Sequence, residues 1–264
     1  MEKRTDKNSY TIIFAIGMVL VVGALLAFTA SSLKPNILEN QRLEKQQNIL
    51  YAMGVNDNDE SSAVFISTDK APEAFKNNVA DQLVITVDAS GKILKTQTRD
   101  EYFNETKQEP YLIDIKKQKS NAKKGEPRKL PLFVGKNTEG KTVYVAPIYG
   151  KGLWDAIWGY VAIDENMIVQ GAYFDHKGET PGLGANIKQR YFMDDFYGEH
   201  LLNEAGVFRG ITVAKGNADP KNVDKTDNEV DAIAGATITG DGVTAMIKSD
   251  LKLYKPYFDN LKNN

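Results

Sequence analysis

Two short glycine-bearing runs are the places where this sequence has the residue types to hold a ligand. The first is ETPGLGA, from Glu179 to Ala185. Pro181 followed by Gly182 suits a type II turn, and Gly182 and Gly184 allow close backbone approach or positive φ. A plain turn explains the same residues, so this run alone leaves both readings open. The second is DAIAGAT, from Asp231 to Thr237, followed by Ile238 and Thr239 and then by a helical pattern. Thr239 suits an N-cap. That assignment leaves Thr237 just outside the positive end of the helix, where unpaired N–H groups favour an anion such as a phosphate. Read alone, this run is first a simple capped turn, and a phosphate site is the sharper reading.

Other chemistries lack their residues. Cysteine is absent from the 264 residues, which excludes disulfides, thiol nucleophiles and Cys-held zinc or iron–sulfur clusters within this chain. His176 and His200 are the only histidines, and neither stands in a spacing that aims two nitrogens at one metal; both read as surface or hydrogen-bonding residues. No P-loop and no Gly-x-Gly-x-x-Gly follows a strand. No pair of carboxylates has a context that singles out an acid and a base. A net charge of −2 supplies no basic field for nucleic acid, and 42% hydrophobic residues are enough for a sizeable core.

The elements that must position these runs begin with an anchor. No charge occurs between Lys7 and Lys34, and the centre, Thr11 to Phe28, is long and apolar enough to cross a bilayer as one helix. The expected organisation is a cytoplasmic start at residues 1–10, a transmembrane anchor at 11–33 and an extracytoplasmic domain at 34–264. A cleaved signal peptide is the alternative, with Thr29 to Ser32 imitating a cleavage site, but its apolar core is normally shorter. Lys3, Arg4 and Lys7 crowd the leading segment, whereas Lys34, Arg42 and Lys45 are spread more thinly, which favours a cytoplasmic N-terminus. A juxtamembrane helix is expected over about 34–53, opened by Pro35 and stopped by Gly54, with Ile37, Leu38, Ile49, Leu50 and Met53 along one stripe.

Period-two patterns predict a hairpin around Asp88–Lys92 and a second around Asp164–Asn166, with further strands at Thr142–Tyr149 and Gly210–Ala214. The polar stretch from Tyr111 to Lys129 carries seven lysines and arginines and reads as a solvated loop; docking to an acidic partner or to anionic headgroups is the sharper reading. Val243, Met246, Ile247, Leu251 and Tyr254 follow helical spacing at the end of the chain. Hairpins mixed with isolated helices give an α+β domain, mainly antiparallel, behind a single N-terminal transmembrane helix.

Anchor, ETPGLGA and DAIAGAT, in that order, resemble the FMN-binding subunit family of bacterial membrane redox complexes, and within it the NqrC branch, which serves sodium-translocating NADH:quinone reductases. The resemblance covers nearly the whole chain. It implies FMN joined by its phosphate to Thr237 by a flavin transferase that takes FMN from FAD. Asp231, Gly235 and Ala236 match the recognition pattern, and Ala234 replaces the usual Ser or Thr. It also implies that Glu179, Thr180, Gly182, Leu183 and Gly184 border the flavin ring, with Trp154 near it. Lys215 either offsets phosphate charge or is simply solvated, and Trp158 is expected in the core. The implied activity is electron carriage between an iron–sulfur centre and the FMN of a neighbouring subunit, ending at ubiquinone, in the bacterial inner membrane with the main domain on the periplasmic side. The protein is expected to be inactive alone and to work with other membrane subunits of the same Na+-transporting translocase. The flavin subunit of the ferredoxin-linked ion-translocating complex, a free-standing FMN domain and a cofactor-free membrane-anchored binding module are the competing readings.

Overall fold

A computed structural model describes residues 8–59, 62–216, 219 and 221–262. The chain divides into two compact units, residues 1–43 and 44–264. The first is dominated by the apolar part of helix α1 (Asn8–Ala52), whose large side chains from Tyr10 to Phe28 are exposed. Among the described residues, α1 is the one helix long and apolar enough to cross a membrane. The orientation expectation rests on Lys3, Arg4 and Lys7, which lie outside the described residues. Pro35 does not open a second helix; it lies inside α1. An interior proline removes one backbone hydrogen bond and costs about 3 kcal/mol. Long runs of helix-forming Leu, Ala, Glu and Gln on either side offset that cost. The expected stripe is correspondingly shorter: Ile49, Leu50 and Met53 are buried, whereas Ile37 and Leu38 are exposed.

The second unit is built on a six-stranded antiparallel sheet in the order β2-β1-β3-β4-β5-β6. Its strands are β1 (Val79–Val87), β2 (Ile93–Thr98), β3 (Arg128–Lys136), β4 (Thr142–Lys151), β5 (Ala156–Ile163) and β6 (Val169–His176). One device closes three of the hairpins. Asp88, Asn137 and Asp164 each turn a side-chain oxygen back to accept backbone N–H groups two and four residues on, at 2.8–3.0 Å. This is why the Asp88 and Asp164 turns were legible as hairpins. The central strands β4 and β5 are buried almost continuously, so the sheet is covered on both faces. Trp158 departs from the expected core position: it is half-buried on β5.

Flanking helices α2 (Ala71–Asn78), α3 (Arg99–Thr106), α4 (Ile115–Ala122) and α5 (Arg190–Asp195) surround the sheet. The C-terminal face is made by α6 (Thr237–Leu251), a short 3-10 turn and α7 (Lys255–Lys262). All five residues of the expected C-terminal stripe are buried, although Tyr254 falls in the 3-10 turn rather than the helix. Helix α6 lies close on β4: a Cβ on Gly242 would stand 2.4 Å from the Lys151 carbonyl oxygen, so only glycine permits this approach. The expected strand at Gly210–Ala214 shrinks to β7 (Thr212–Val213), which pairs in parallel with β8 (Glu229–Val230).

The polar stretch Tyr111–Lys129 is not a solvated loop. It forms α4 and enters β3, because two of its cations have a buried partner. Asp250 of α6 is fully buried and accepts from Arg128 at 3.1 Å, Lys119 at 2.9 Å and the Tyr149 N–H at 2.8 Å. This cluster fixes α6 against β3, β4 and α4 and so fixes the helix whose start borders the pocket described next.

Candidate functional site

The two glycine-bearing runs meet at the start of α6. Thr180 to Leu183 form the expected type II turn: the Leu183 N–H donates to the Thr180 carbonyl at 3.1 Å, and Gly182 takes φ +77°. The chain then enters a 3-10 turn, Gly184–Lys188. On the other side, Gly235 at φ +70° reverses the backbone into α6, and a Cβ there would stand 2.8 Å from Leu183. Between them lies a pocket of about 230 Å³, lined by Leu153, Glu179, Thr180, Leu183, Gly184 and residues 235–239.

The helix start differs from the expectation. Thr239 is not the N-cap; Ala236 is, so Thr237 is the first helical residue and its side chain is exposed. Thr239 cannot cap because its hydroxyl is committed elsewhere, donating to Glu179 Oε2 at 2.6 Å in a buried position. Ala236 has no side-chain acceptor, so among the described residues the first N–H groups of α6 have neither an intrahelical partner nor a side-chain cap. An exposed hydroxyl beside these groups is well placed to carry a phosphate, because the helix end favours negative charge.

Glu179 is only 4% exposed and lines the pocket. Besides Thr239 it accepts from the Trp154 N–H at 3.0 Å, the Leu153 N–H at 3.4 Å and the Asp155 N–H at 3.5 Å. Burial pushes its carboxyl up, but the Thr239 hydroxyl and these N–H groups outweigh burial and hold it below the usual carboxylate range. A hydrogen bond of this charged kind contributes about 1.5–3 kcal/mol. Trp154 is exposed, and its indole N–H donates to the Thr180 hydroxyl at 3.1 Å, which ties the rim to the turn. Leu153, Leu183 and Ile238 are exposed apolar side chains around the opening. Together with the small residues Gly184, Gly235 and Ala236, they suit a flat aromatic ligand.

Of the site residues expected from sequence, Glu179, Thr180, Leu183, Gly184, Gly235, Ala236 and Thr237 line one pocket. Gly182 makes the turn, Trp154 props Thr180, and Lys215 is exposed and outside the lining. His176 does make a hydrogen bond: its Nδ1 accepts the Glu179 N–H at 3.1 Å. Sequence reasoning missed Leu153, Ile238 and the inward role of Thr239. Their signal was position alone, since each lies within two residues of a residue already singled out.

Comparison with known proteins converges on the same segment. Residues 152–252 match the family described as FMN-binding domain. The chain is 30% identical to NqrC of the Na(+)-translocating NADH-quinone reductase of Neisseria meningitidis serogroup A over 277 residues, 100% of this chain and 98% of that protein. It is 28% identical to the protein of the same name from Yersinia pestis, over 91% of this chain and 87% of the relative. The crystal structure of NqrC from Parabacteroides distasonis superposes with a TM-score of 0.65 at 27% identity, covering 86% of this chain and 96% of that one. NqrC from Shewanella oneidensis, 24% identical, shares the fold with a TM-score of 0.60 over 85% of this chain and 99% of that one.

Proposed function

The chain belongs to the NqrC family of the Na(+)-translocating NADH-quinone reductase, and from that membership we propose that it is the membrane-anchored, FMN-carrying electron-transfer subunit of such a complex. The observation that carries the reading is the exposed Thr237 hydroxyl at the uncapped start of α6, on the wall of a pocket with an apolar rim. The residues present fit FMN. Thr237 would hold the phosphate as an ester, the first N–H groups of α6 would offset its charge, and Leu153, Leu183 and Ile238 would border the ring together with Thr180, Gly184 and the turn made by Gly182. Gly235 and Ala236 keep the approach to Thr237 open. FMN supplies the redox chemistry, taking up and giving on electrons one at a time.

The protein's own contribution is to tether, orient and electrostatically tune. In this reading a flavin transferase installs FMN from FAD during maturation. The bound FMN would relay electrons between an iron–sulfur centre and the FMN of a neighbouring subunit, on the way to ubiquinone. Helix α1 anchors the protein in the bacterial inner membrane, N-terminus in the cytoplasm and residues 34–264 on the periplasmic side. Lys215, exposed beyond the pocket, is left to solvent or to a long-range effect on the phosphate.

The test is made on the assembled complex in membrane vesicles. Vesicles carrying this chain oxidise NADH with quinone at a Na+-stimulated rate, and the Thr237→Val chain loses at least tenfold of it while still assembling. Unchanged activity in an assembled Thr237→Val complex contradicts the proposed role.

A further inference from the structure

Glu179 lines the pocket, yet its carboxylate has little capacity left for a ligand. It already accepts from the Thr239 hydroxyl and from three backbone N–H groups of residues 153–155. Two glycines wall it in: a Cβ on Gly152 would stand 2.5 Å from Oε1, and a Cβ on Gly184 2.5 Å from Oε2 and from Thr239 Oγ1. Its own N–H is held by His176. A phosphate on Thr237 would also repel a carboxylate, which disfavours direct contact between the two. The contacts join three segments remote in sequence, residues 153–155, Glu179 at the head of the turn and Thr239 in the first turn of α6.

We propose that Glu179 is a positioning residue: it ties the first turn of α6, through Thr239, to the Leu153–Trp154 rim, and so sets where the Thr237 hydroxyl stands against the wall that receives the ring, without itself touching the flavin. This inference rests on Thr237 being the FMN acceptor. It replaces the expectation that Glu179 borders the ring. Thr239 lies two residues after Thr237 within one helical turn, so a shift of its hydroxyl moves the acceptor directly. Trp154 adds a second link, since its N–H is held by Glu179 while its indole holds Thr180.

The test uses the full-length chain in detergent with a flavin transferase and FAD, comparing Thr239→Val, Thr239→Ser, Glu179→Gln and Thr237→Val. In-gel fluorescence follows the rate of flavin attachment, polarised fluorescence reports how firmly the attached ring is held, and melting temperature reports stability. Thr239→Val and Glu179→Gln are expected to slow attachment at least about tenfold, the lower bound for losing one charge-assisted hydrogen bond, and to lower the anisotropy of the flavin they do carry. Thr239→Ser, which keeps the hydroxyl, restores both. Wild-type rate and anisotropy in folded Thr239→Val and Glu179→Gln, with only the melting temperature lowered, overturn the positioning role and leave the acceptor intact. Covalent flavin on Thr237→Val overturns the acceptor instead. Amide exchange in the wild-type chain keeps the test readable should both variants fail to fold. The N–H groups of residues 153–155 are expected to exchange slowly with and without FMN, and fast exchange in both states overturns the proposal.

Discussion

Glu199 offers a prediction whose sign and size follow from its surroundings. It is fully buried, neither of its carboxylate oxygens has a partner in hydrogen-bond geometry among the described residues, and the Lys225 ammonium stands 3.5 Å from Oε1. Burial raises its pKa from 4.5 to about 7, against the lowering influence of Asn222 and Lys225, while Asp227 adds to the rise. Between these two values the folded chain therefore holds a proton that the unfolded chain has released. The stabilisation present below about pH 4.5 is lost as pH rises through about 7, and the linked change is roughly 3 kcal/mol. Glu199→Gln removes the titration while keeping the shape. Urea unfolding followed by the fluorescence of Trp154 and Trp158, from pH 4.5 to 8.5, should show the variant gaining on the wild-type chain as pH rises to about 7 and the difference levelling off above that. The comparison is made between the two chains because carboxyls held low, such as Glu179, push stability the other way. Stability curves that stay parallel across this range refute the reasoning.

Three further outcomes are expected. Asp250→Ala leaves Arg128 and Lys119 without their buried counter-charge, and chemical denaturation should record a loss of about 3–5 kcal/mol. Gly235→Ala combines a left-handed backbone with a Cβ 2.8 Å from Leu183; it should reduce flavin attachment several-fold while lowering the melting temperature by only a few degrees, measured by in-gel fluorescence and calorimetry. Trp154→Phe keeps the ring but loses the indole hydrogen bond to Thr180; the attached flavin should show faster local motion in time-resolved anisotropy with unchanged attachment yield.

Much of the fold was legible because its signals are local. Asp88 and Asp164 close hairpins with their own side chains, and Val243, Met246, Ile247 and Leu251 repeat at helical spacing, so neither needed a distant partner to be read. The misread parts depend on partners far along the chain. Lys119 and Arg128 looked solvated because they stand in a run dominated by lysines; their buried counter-charge, Asp250, lies more than 120 residues away from each. Thr239 looked like a cap because Ser and Thr usually serve their own helix, and only folding brings Glu179 within 2.6 Å of it. Pro35 looked like a helix start because it suits that position, yet the helix runs through it. The pocket itself was read from two runs 46 residues apart in sequence only through their joint resemblance to one family; the structure brings Leu183 and Gly235 into contact.

Peptide mass analysis of the chain after incubation with a flavin transferase and FAD tests the central claim most directly. The account predicts an added FMN mass on the peptide containing Thr237, fragmenting to that residue, and none anywhere on Thr237→Val. Flavin retained covalently by Thr237→Val, or a wild-type chain that carries none under conditions that load an established NqrC, contradicts it.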